Sequence, residues 1–139
     1  MSRHIARETA LKMLFQMDVG KNSIEAAQAT LEESILTGPL KEFASQLAEG
    51  AFCHASELDG LLSPFLADWK IERLANVDKN ILRMALFELL HPEKIPATVT
   101  SVPATVIIDE AVELAKTFGD ENSGSFVNAV LDNFRKSGG

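Results

Sequence analysis

The second half of the chain contains three stretches in which apolar residues recur with the period of an α-helix. In the first stretch, residues 77–90, they form one wide face: Ile81, Leu82, Ala85, Leu86 and Leu89. The second stretch lies between Pro103 and Gly119, and the third follows Asn122. A helix with one apolar face is stable when that face is buried. The pattern therefore predicts helices packed around a common core.

The first half predicts four further helices, separated by turn residues. Their approximate spans are Ser2–Asp18, Ser23–Leu36, Leu40–His54 and Ser56–Leu62. The Gly38-Pro39 pair is expected to end the second of them. Only Ala97–Val102, rich in Thr and Val, favours an extended segment. We therefore expect an all-α domain of six or seven helices.

Length and composition narrow the class of protein. A chain of 139 residues is long enough for one domain with a buried core. It lacks a run of about 18 uncharged apolar residues, so no transmembrane helix or membrane association is expected. Its first residues lack the apolar run of a secretory signal. The single cysteine, Cys53, suits a reducing compartment, so we expect a cytoplasmic protein.

The distribution of charge predicts at most a local affinity for nucleic acid. The net charge of −7 disfavours non-specific binding, which depends on neutralising phosphates. Near the N-terminus, however, Arg3, Arg7 and Lys12 outnumber the single acidic Glu8. Arg3 and Arg7 are four residues apart and are predicted to project from one helical face, where guanidinium groups can bind phosphate. The alternative is an ordinary solvated first turn.

No pattern in the sequence indicates catalysis. Cys53 and His54 are adjacent, but neighbours on a helix point about 100° apart. His4, His54 and His91 are scattered without a metal-ligand spacing such as HExxH. We therefore expect no catalytic residue, no metal site and no cofactor.

One further group of residues has a predicted environment, and a second allows two interpretations. Arg83 and Glu88 interrupt the apolar stretch at 77–90 and are predicted to find charged partners on other helices. Three phenylalanines belong either to the core or, where exposed, to platforms on which unpaired bases stack. They are Phe65, Phe118 and Phe126.

Four blocks of the chain have the order and spacing of a known family. They are Ser2–Asp18, Trp69–Leu90, Asp109–Gly119 and Phe126–Asp132. With them, nearly the whole chain resembles the NusB family of bacterial transcription antitermination factors. The resemblance implies an all-helical fold of two packed helical subdomains, at about residues 1–68 and 69–139.

The resemblance also implies a function. NusB proteins are not enzymes; they bind the boxA segment of nascent RNA together with NusE, a small-subunit ribosomal protein. They help RNA polymerase to read through terminators, notably in ribosomal RNA operons. Two alternatives stay open. One is a detached NusB-like domain related to RNA cytosine methyltransferases, and the other is a homodimer that covers its RNA surface.

Two surfaces follow from the resemblance, position by position. The RNA surface comprises Arg3, His4, Arg7, Phe65, Lys116, Phe118, Asn122 and Phe126. The NusE-facing surface comprises Phe15, Val19, Glu72 and Asp78. Ser125 stands where the family often has a basic residue, and the linker between Ile95 and Pro103 is longer than usual. The reduced positive charge predicts RNA binding that depends on the partner protein.

Overall fold

The computed structural model describes residues 3–19, 23–96 and 102–138, and all regular structure within them is helical. The α-helices are α1 (Arg3–Val19), α2 (Ser23–Glu33), α3 (Gly38–Cys53), α4 (Ala55–Leu62), α5 (Asn76–Leu90), α6 (Ala104–Phe118) and α7 (Ser123–Lys136). Short 3-10 turns lie at Ser63–Phe65, Ile71–Arg73 and Pro92–Lys94. The all-α prediction is confirmed. None of the described helices is both long enough and apolar enough to cross a membrane.

The predicted boundary between the second and third helices is wrong. α2 ends at Glu33 rather than at Leu36. The Ser34 hydroxyl donates to the Leu31 carbonyl at 2.6 Å and accepts the Leu36 N–H at 3.3 Å, and such local bonds compete with the helical ladder. The Gly38-Pro39 pair opens α3 instead of closing α2, because proline's missing N–H is not needed in a first turn.

α5 is the central helix of the bundle. It contacts α1, α3, α4, α6 and α7. Its buried residues surround the helix: Asn80, Ile81, Leu82, Met84, Ala85, Leu86, Phe87 and Glu88. Apolar side chains from both halves of the chain join one core around it. The division into two subdomains near residue 68 stays a prediction, and most of the predicted extended segment, residues 97–101, lies outside the described residues.

The two charges that interrupt α5 pair with other helices, as predicted. Arg83 donates to Asp59 of α4 through Nε at 2.7 Å and Nη2 at 2.6 Å. Glu88 accepts bonds from Arg7 of α1, from Nε at 3.0 Å and from Nη2 at 2.6 Å. A guanidinium that donates two parallel bonds to a carboxylate fixes orientation as well as distance. The two pairs therefore fix α4 and α1 on the central helix.

The packing of α3 on α5 depends on Gly50. The ring of Phe87 lies over its backbone, so a β-carbon built on Gly50 would lie 2.1 Å from Cζ of that ring. Both residues are buried. Glycine is therefore required here because no side chain fits between the ring and the helix. By contrast, the β-position of Gly60 in α4 has no neighbouring atom within 4 Å.

These two glycines give a matched pair of substitutions. Gly50→Ala is expected to lower the free energy of unfolding by about 1–3 kcal/mol, because the new methyl group overpacks the Phe87 contact. Gly60→Ala is expected to raise it by about 0.5–1 kcal/mol, because alanine is the better helix former. Urea denaturation of both variants measures the difference. Effects of the same sign would contradict the packing described for Gly50.

Candidate nucleic-acid interface

The first turn of α1 lies beside α6, and His4 joins the two helices. Its Nδ1 lies 2.9 Å from Oε2 of Glu110 on α6, and its Nε2 lies 2.8 Å from Oε2 of Glu8, one turn along α1. The hydrogen bond to Glu110 is the main cause that raises the pKa of His4 above 6.5. The charges of both carboxylates act in the same direction, and partial burial opposes them. Arg3 is half-buried next to His4.

Arg7 points into the core, away from this surface. It is only 3% exposed, its guanidinium binds Glu88, and its Cζ lies 5.4 Å from the ring centroid of Phe43. The prediction that Arg3 and Arg7 form one exposed basic face is therefore wrong for Arg7. The physical reason is its partner: Glu88 lies on α5, the central helix, which α1 contacts.

The corner between α6 and α7 is tight and closed by local hydrogen bonds. A β-carbon on Gly119 would lie 2.3 Å from the Ser123 hydroxyl oxygen, so only glycine fits there. That hydroxyl accepts the N–H of Asp120 at 3.0 Å, and the Asp120 carboxylate accepts the N–H of Asn122 at 2.8 Å. Asn122 occupies the N-cap position without a side-chain capping bond. The closed corner fixes the positions of the predicted RNA-binding residues on either side.

Three of those residues are accessible to different degrees. The Lys116 side chain is 63% exposed, and its Cγ lies 3.0 Å from the β-position of Gly124, so its stem rests on α7. Phe118, in the last turn of α6, is 37% exposed. Phe126 is partly buried against the core. Among the three phenylalanines predicted to bind RNA, Phe118 therefore has the most exposed side chain.

A first groove, of about 450 Å³, lies beside Phe118. Its lining consists of Leu11, Lys12, Phe15, Gln16, Thr30, Val77 and Phe118. Phe15 was predicted to face NusE and Phe118 to face RNA. The structure therefore brings one residue of each predicted surface into the same groove.

A second groove, of about 400 Å³, lies at the α6–α7 corner. Its lining consists of Trp69, Arg73, Leu74, Ala75, Asp78, Asp120, Asn122 and Phe126. Asp78, predicted to face NusE, thus shares a groove with the predicted RNA-binding residues Asn122 and Phe126. The two predicted surfaces adjoin each other and are not separate faces.

Among the predicted site residues whose side chains the structure describes, six line neither groove. Arg3, His4, Arg7 and Lys116 are placed above, and Phe65 and Glu72 remain. Phe65 lies in the 3-10 turn after α4, half-buried, with its ring edge-to-face with Phe134 at a centroid distance of 5.6 Å. Glu72 is exposed in the turn Ile71–Arg73. Val19 is the last residue of α1, and its side chain is outside the part of the chain that the structure describes.

Of the groove residues that were predicted for neither surface, three have a cationic or aromatic side chain. They are Lys12, Trp69 and Arg73. Lys12 is three residues from Phe15, a spacing that places both side chains on one helical face. The sequence could therefore have predicted that Lys12 lies beside Phe15. Trp69 is 59% exposed. Its exposure could not be predicted, because it depends on the path of the chain between α4 and α5.

A model of the NusB family matches residues 4–136 of the chain. The chain belongs to the NusB family. The transcription antitermination protein NusB of Geobacillus kaustophilus is 47% identical over 131 residues, which cover 94% of this chain and 93% of that protein. The NusB protein of an Exiguobacterium species is 45% identical over 136 residues, 98% of each chain. That of Bacillus subtilis is 43% identical, over 97% of this chain and 95% of the relative.

Solved NusB structures share the fold. T. maritima NusB superposes with a TM-score of 0.84 and 36% identity, covering 98% of this chain and 92% of that one. A chain from the crystal structure of antitermination factors NusB and NusE in complex with dsRNA gives a TM-score of 0.81 and 31% identity. That match covers 97% of this chain and 96% of the other. The predicted membership of the family is therefore confirmed.

The buried Arg7–Glu88 pair predicts a stability effect that a surface arginine would not show. Arg7→Met is expected to lower the free energy of unfolding by about 3–5 kcal/mol, because Glu88 would be left as a buried, unpaired charge. The double variant Arg7→Met/Glu88→Met should recover most of this loss. Lys41→Met, which breaks the exposed Lys41–Glu32 pair, should change stability by less than about 1 kcal/mol. Chemical denaturation measures the free energy of unfolding of the three variants. A double variant that is no more stable than Arg7→Met would contradict the pairing.

The raised pKa of His4 predicts a pH-dependent contribution to stability. The folded-state pKa lies above the unfolded value of about 6.5, so the contribution is fully present below that value. It is lost as the pH rises through the folded pKa. Glu110→Gln is therefore expected to lower the His4 pKa in an NMR titration and to destabilise the protein more at about pH 5.5 than at about pH 8.5. An unchanged His4 pKa in this variant would show that the hydrogen bond is not its cause.

Proposed function

We propose that this NusB-family chain is a transcription antitermination factor. In this proposal it binds the boxA segment of nascent RNA together with NusE and promotes read-through by RNA polymerase, notably in ribosomal RNA operons. The main support is its similarity, over 97% of its length, to a chain solved in a complex of NusB, NusE and dsRNA. The proposed action is binding rather than catalysis, and it takes place on the nascent transcript in the cytoplasm.

The proposed phosphate contacts are the cations around α1 and α6. The Lys116 side chain is exposed. Its only ion pair in the described residues is a 3.8 Å contact with the similarly exposed Glu113, and such pairs hold a side chain weakly. Arg3 would add a second contact. His4 would have to exchange one of its two carboxylate partners for a phosphate. Arg7 would act indirectly, by holding α1 in position.

The proposed base contacts are aromatic. A base stacked on an aromatic ring contributes about 1–3 kcal/mol, and Phe118 offers the most exposed ring of the predicted set. Phe126 would present the part of its ring that lines the second groove, beside the Asn122 amide. That amide can pair with the polar edge of an unstacked base. Phe65 would contribute at the margin.

The proposed NusE contacts begin in the first groove. Phe15 lies there among largely apolar neighbours that include Leu11 and Val77, a lining suited to an apolar side chain of the partner. The acidic residues Glu72 and Asp78, with Val19, would extend the contact towards basic groups of a ribosomal protein. Because Phe15 and Phe118 share one groove, bound NusE would lie next to bound RNA. Linked binding of this kind raises affinity without new contacts on this chain.

The alternatives make different predictions. A homodimer whose interface replaces RNA on this surface would stay dimeric when boxA RNA and NusE are added. The proposed factor predicts instead that they shift any dimer towards monomer, and light scattering distinguishes the two. No observation favours the methyltransferase-related domain, because the three relatives named above are NusB proteins that match over 93–98% of their own length.

A filter-binding titration with boxA RNA, with and without NusE, tests the proposal. Lys116→Ala is expected to weaken binding and to reduce the slope of log K against log salt by about 0.7–1, because one phosphate contact is lost. Phe118→Ala, measured without NusE, should weaken binding by roughly 5- to 150-fold, as expected for one stacked base. The matched control is Lys41→Ala, a lysine of α3 paired with Glu32 of α2, which should leave affinity and slope unchanged.

Two outcomes would contradict the proposal. The first is that the purified chain retains neither RNA nor NusE at low salt. The second is that Lys41→Ala reduces binding as much as Lys116→Ala, since the effect would then reflect net charge and not a located surface.

A further inference from the structure

Two histidines that are distant in sequence meet at the end of the α3–α5 contact. Gly50 and Phe87 bring the two helices together, and each is followed four residues later by a histidine. His54 is the C-cap of α3 and His91 the C-cap of α5. Their ring centroids are 5.2 Å apart, and each ring also packs on Phe87. The same close packing that requires Gly50 therefore places the two imidazoles together.

The Nδ1 atom of each imidazole lies near an oxygen that can accept a hydrogen bond. Nδ1 of His54 lies 2.9 Å from the Gly50 carbonyl oxygen, which can only accept a hydrogen bond, so in the neutral ring Nδ1 carries the proton and Nε2 has the lone pair. Nδ1 of His91 lies 3.6 Å from Oε1 of Glu93. Nε2 of His91 is buried and makes no hydrogen bond to any described residue. A backbone carbonyl or a carboxylate behind the second ring nitrogen is the usual environment of a metal-binding histidine.

Glu57 completes the arrangement. It lies in the first turn of α4, and its carboxylate and one nitrogen of each histidine all lie within 4.8 Å of one another. We propose that His54, Glu57 and His91 form a zinc-binding site. Ligand atoms of tetrahedral zinc are about 3.4 Å apart. The exposed Glu57 side chain can rotate to reach that distance.

The electrostatic environment favours a cation. α5 ends at Leu90, just before His91, and the C-terminal end of a helix carries partial negative charge. α3 also ends here, but the partial negative charge at its C-terminal end is offset by the partial positive charge of α4, which begins at the residue after His54. The carboxylate of Glu93 adds a second negative charge near the His91 ring. A bound ion would also satisfy the buried Nε2 of His91, whose desolvation no hydrogen bond to a described residue compensates.

The ligand set indicates zinc rather than magnesium or calcium. Two imidazoles and one carboxylate suit zinc, and zinc sites with three protein ligands hold a water at the fourth position. Magnesium and calcium prefer oxygen ligands alone. Cys53 is not part of the cluster, although it adjoins His54 in sequence. The site would join the α3–α4 corner to the end of α5.

The position of the site separates it from the two grooves. Val77 and Asp78, in the first turn of α5, line the two grooves, whereas His91 follows the last turn. A helix of 15 residues spans about 22 Å. Zinc binding can therefore be measured without RNA, and its result does not depend on the proposed function.

Isothermal titration calorimetry of the full chain, stripped of metal and titrated with zinc chloride, tests the site. We expect one zinc per chain with a dissociation constant below about 10 µM. The melting temperature should rise by roughly 5–10 °C at a hundredfold excess over that constant, and magnesium should cause no such rise. His54→Ala and His91→Ala should abolish binding, and Glu57→Gln should weaken it at least about tenfold.

Two controls separate this site from adventitious binding. Cys53→Ser removes the only thiol and His4→Ala removes a histidine that lies between two carboxylates; neither should change the zinc affinity. Circular dichroism without metal establishes that each variant is folded. If a histidine variant does not fold, the zinc affinity of Glu57→Gln tests the site instead. This variant is expected to fold because the Glu57 side chain is exposed. The proposal is overturned if the unaltered chain binds no zinc at about 100 µM, or if folded His91→Ala or Glu57→Gln binds it unchanged.

Discussion

The buried ion pair between Arg7 and Glu88 is the interaction on which the arrangement of the candidate interface depends. It fixes the rotation of α1 about its own axis, because the guanidinium can donate two parallel bonds in only one orientation. When Arg7 points inward, Lys12 and Phe15 of the same helix line the first groove. Such a pair is weak as a source of stability but strong as a constraint on geometry, since breaking it leaves a buried charge.

The central helix connects this interface with the rest of the molecule. Its first turn contributes Val77 to one groove and Asp78 to the other. Arg83 at its middle holds α4, and Glu88 in its last turn holds α1. Its C-cap, His91, belongs to the histidine cluster proposed to bind zinc. One buried helix thus positions the two grooves at its first turn and the histidine cluster at its C-terminal end, and no side chain belongs to both.

The charge of the molecule is consistent with an RNA-binding role that requires a partner. The chain is acidic overall, with a net charge of −7, and its candidate phosphate contacts are few. His4 is already engaged by Glu8 and Glu110, and Arg7 is buried. The remaining exposed cations near the grooves, such as Lys12, Lys116 and Arg73, provide little counterion release on their own. The first groove, where apolar side chains surround Phe15 and Phe118, is therefore as important to the proposed function as the cations are.

The sequence by itself determined the helices and the family. The apolar periodicity of α5, α6 and α7 predicted their spans closely, because a buried stripe on a helix requires a regular spacing of apolar residues. It could not predict that Ser34 would end α2 early, that Arg7 would point inward, or that Phe15 and Phe118 would share a groove. Each of these depends on which side chain of another helix lies opposite. The meeting of His54 and His91 is the clearest case: only the close approach at Gly50 and Phe87 decided it, since contacts between distant helices leave no fixed spacing in the chain.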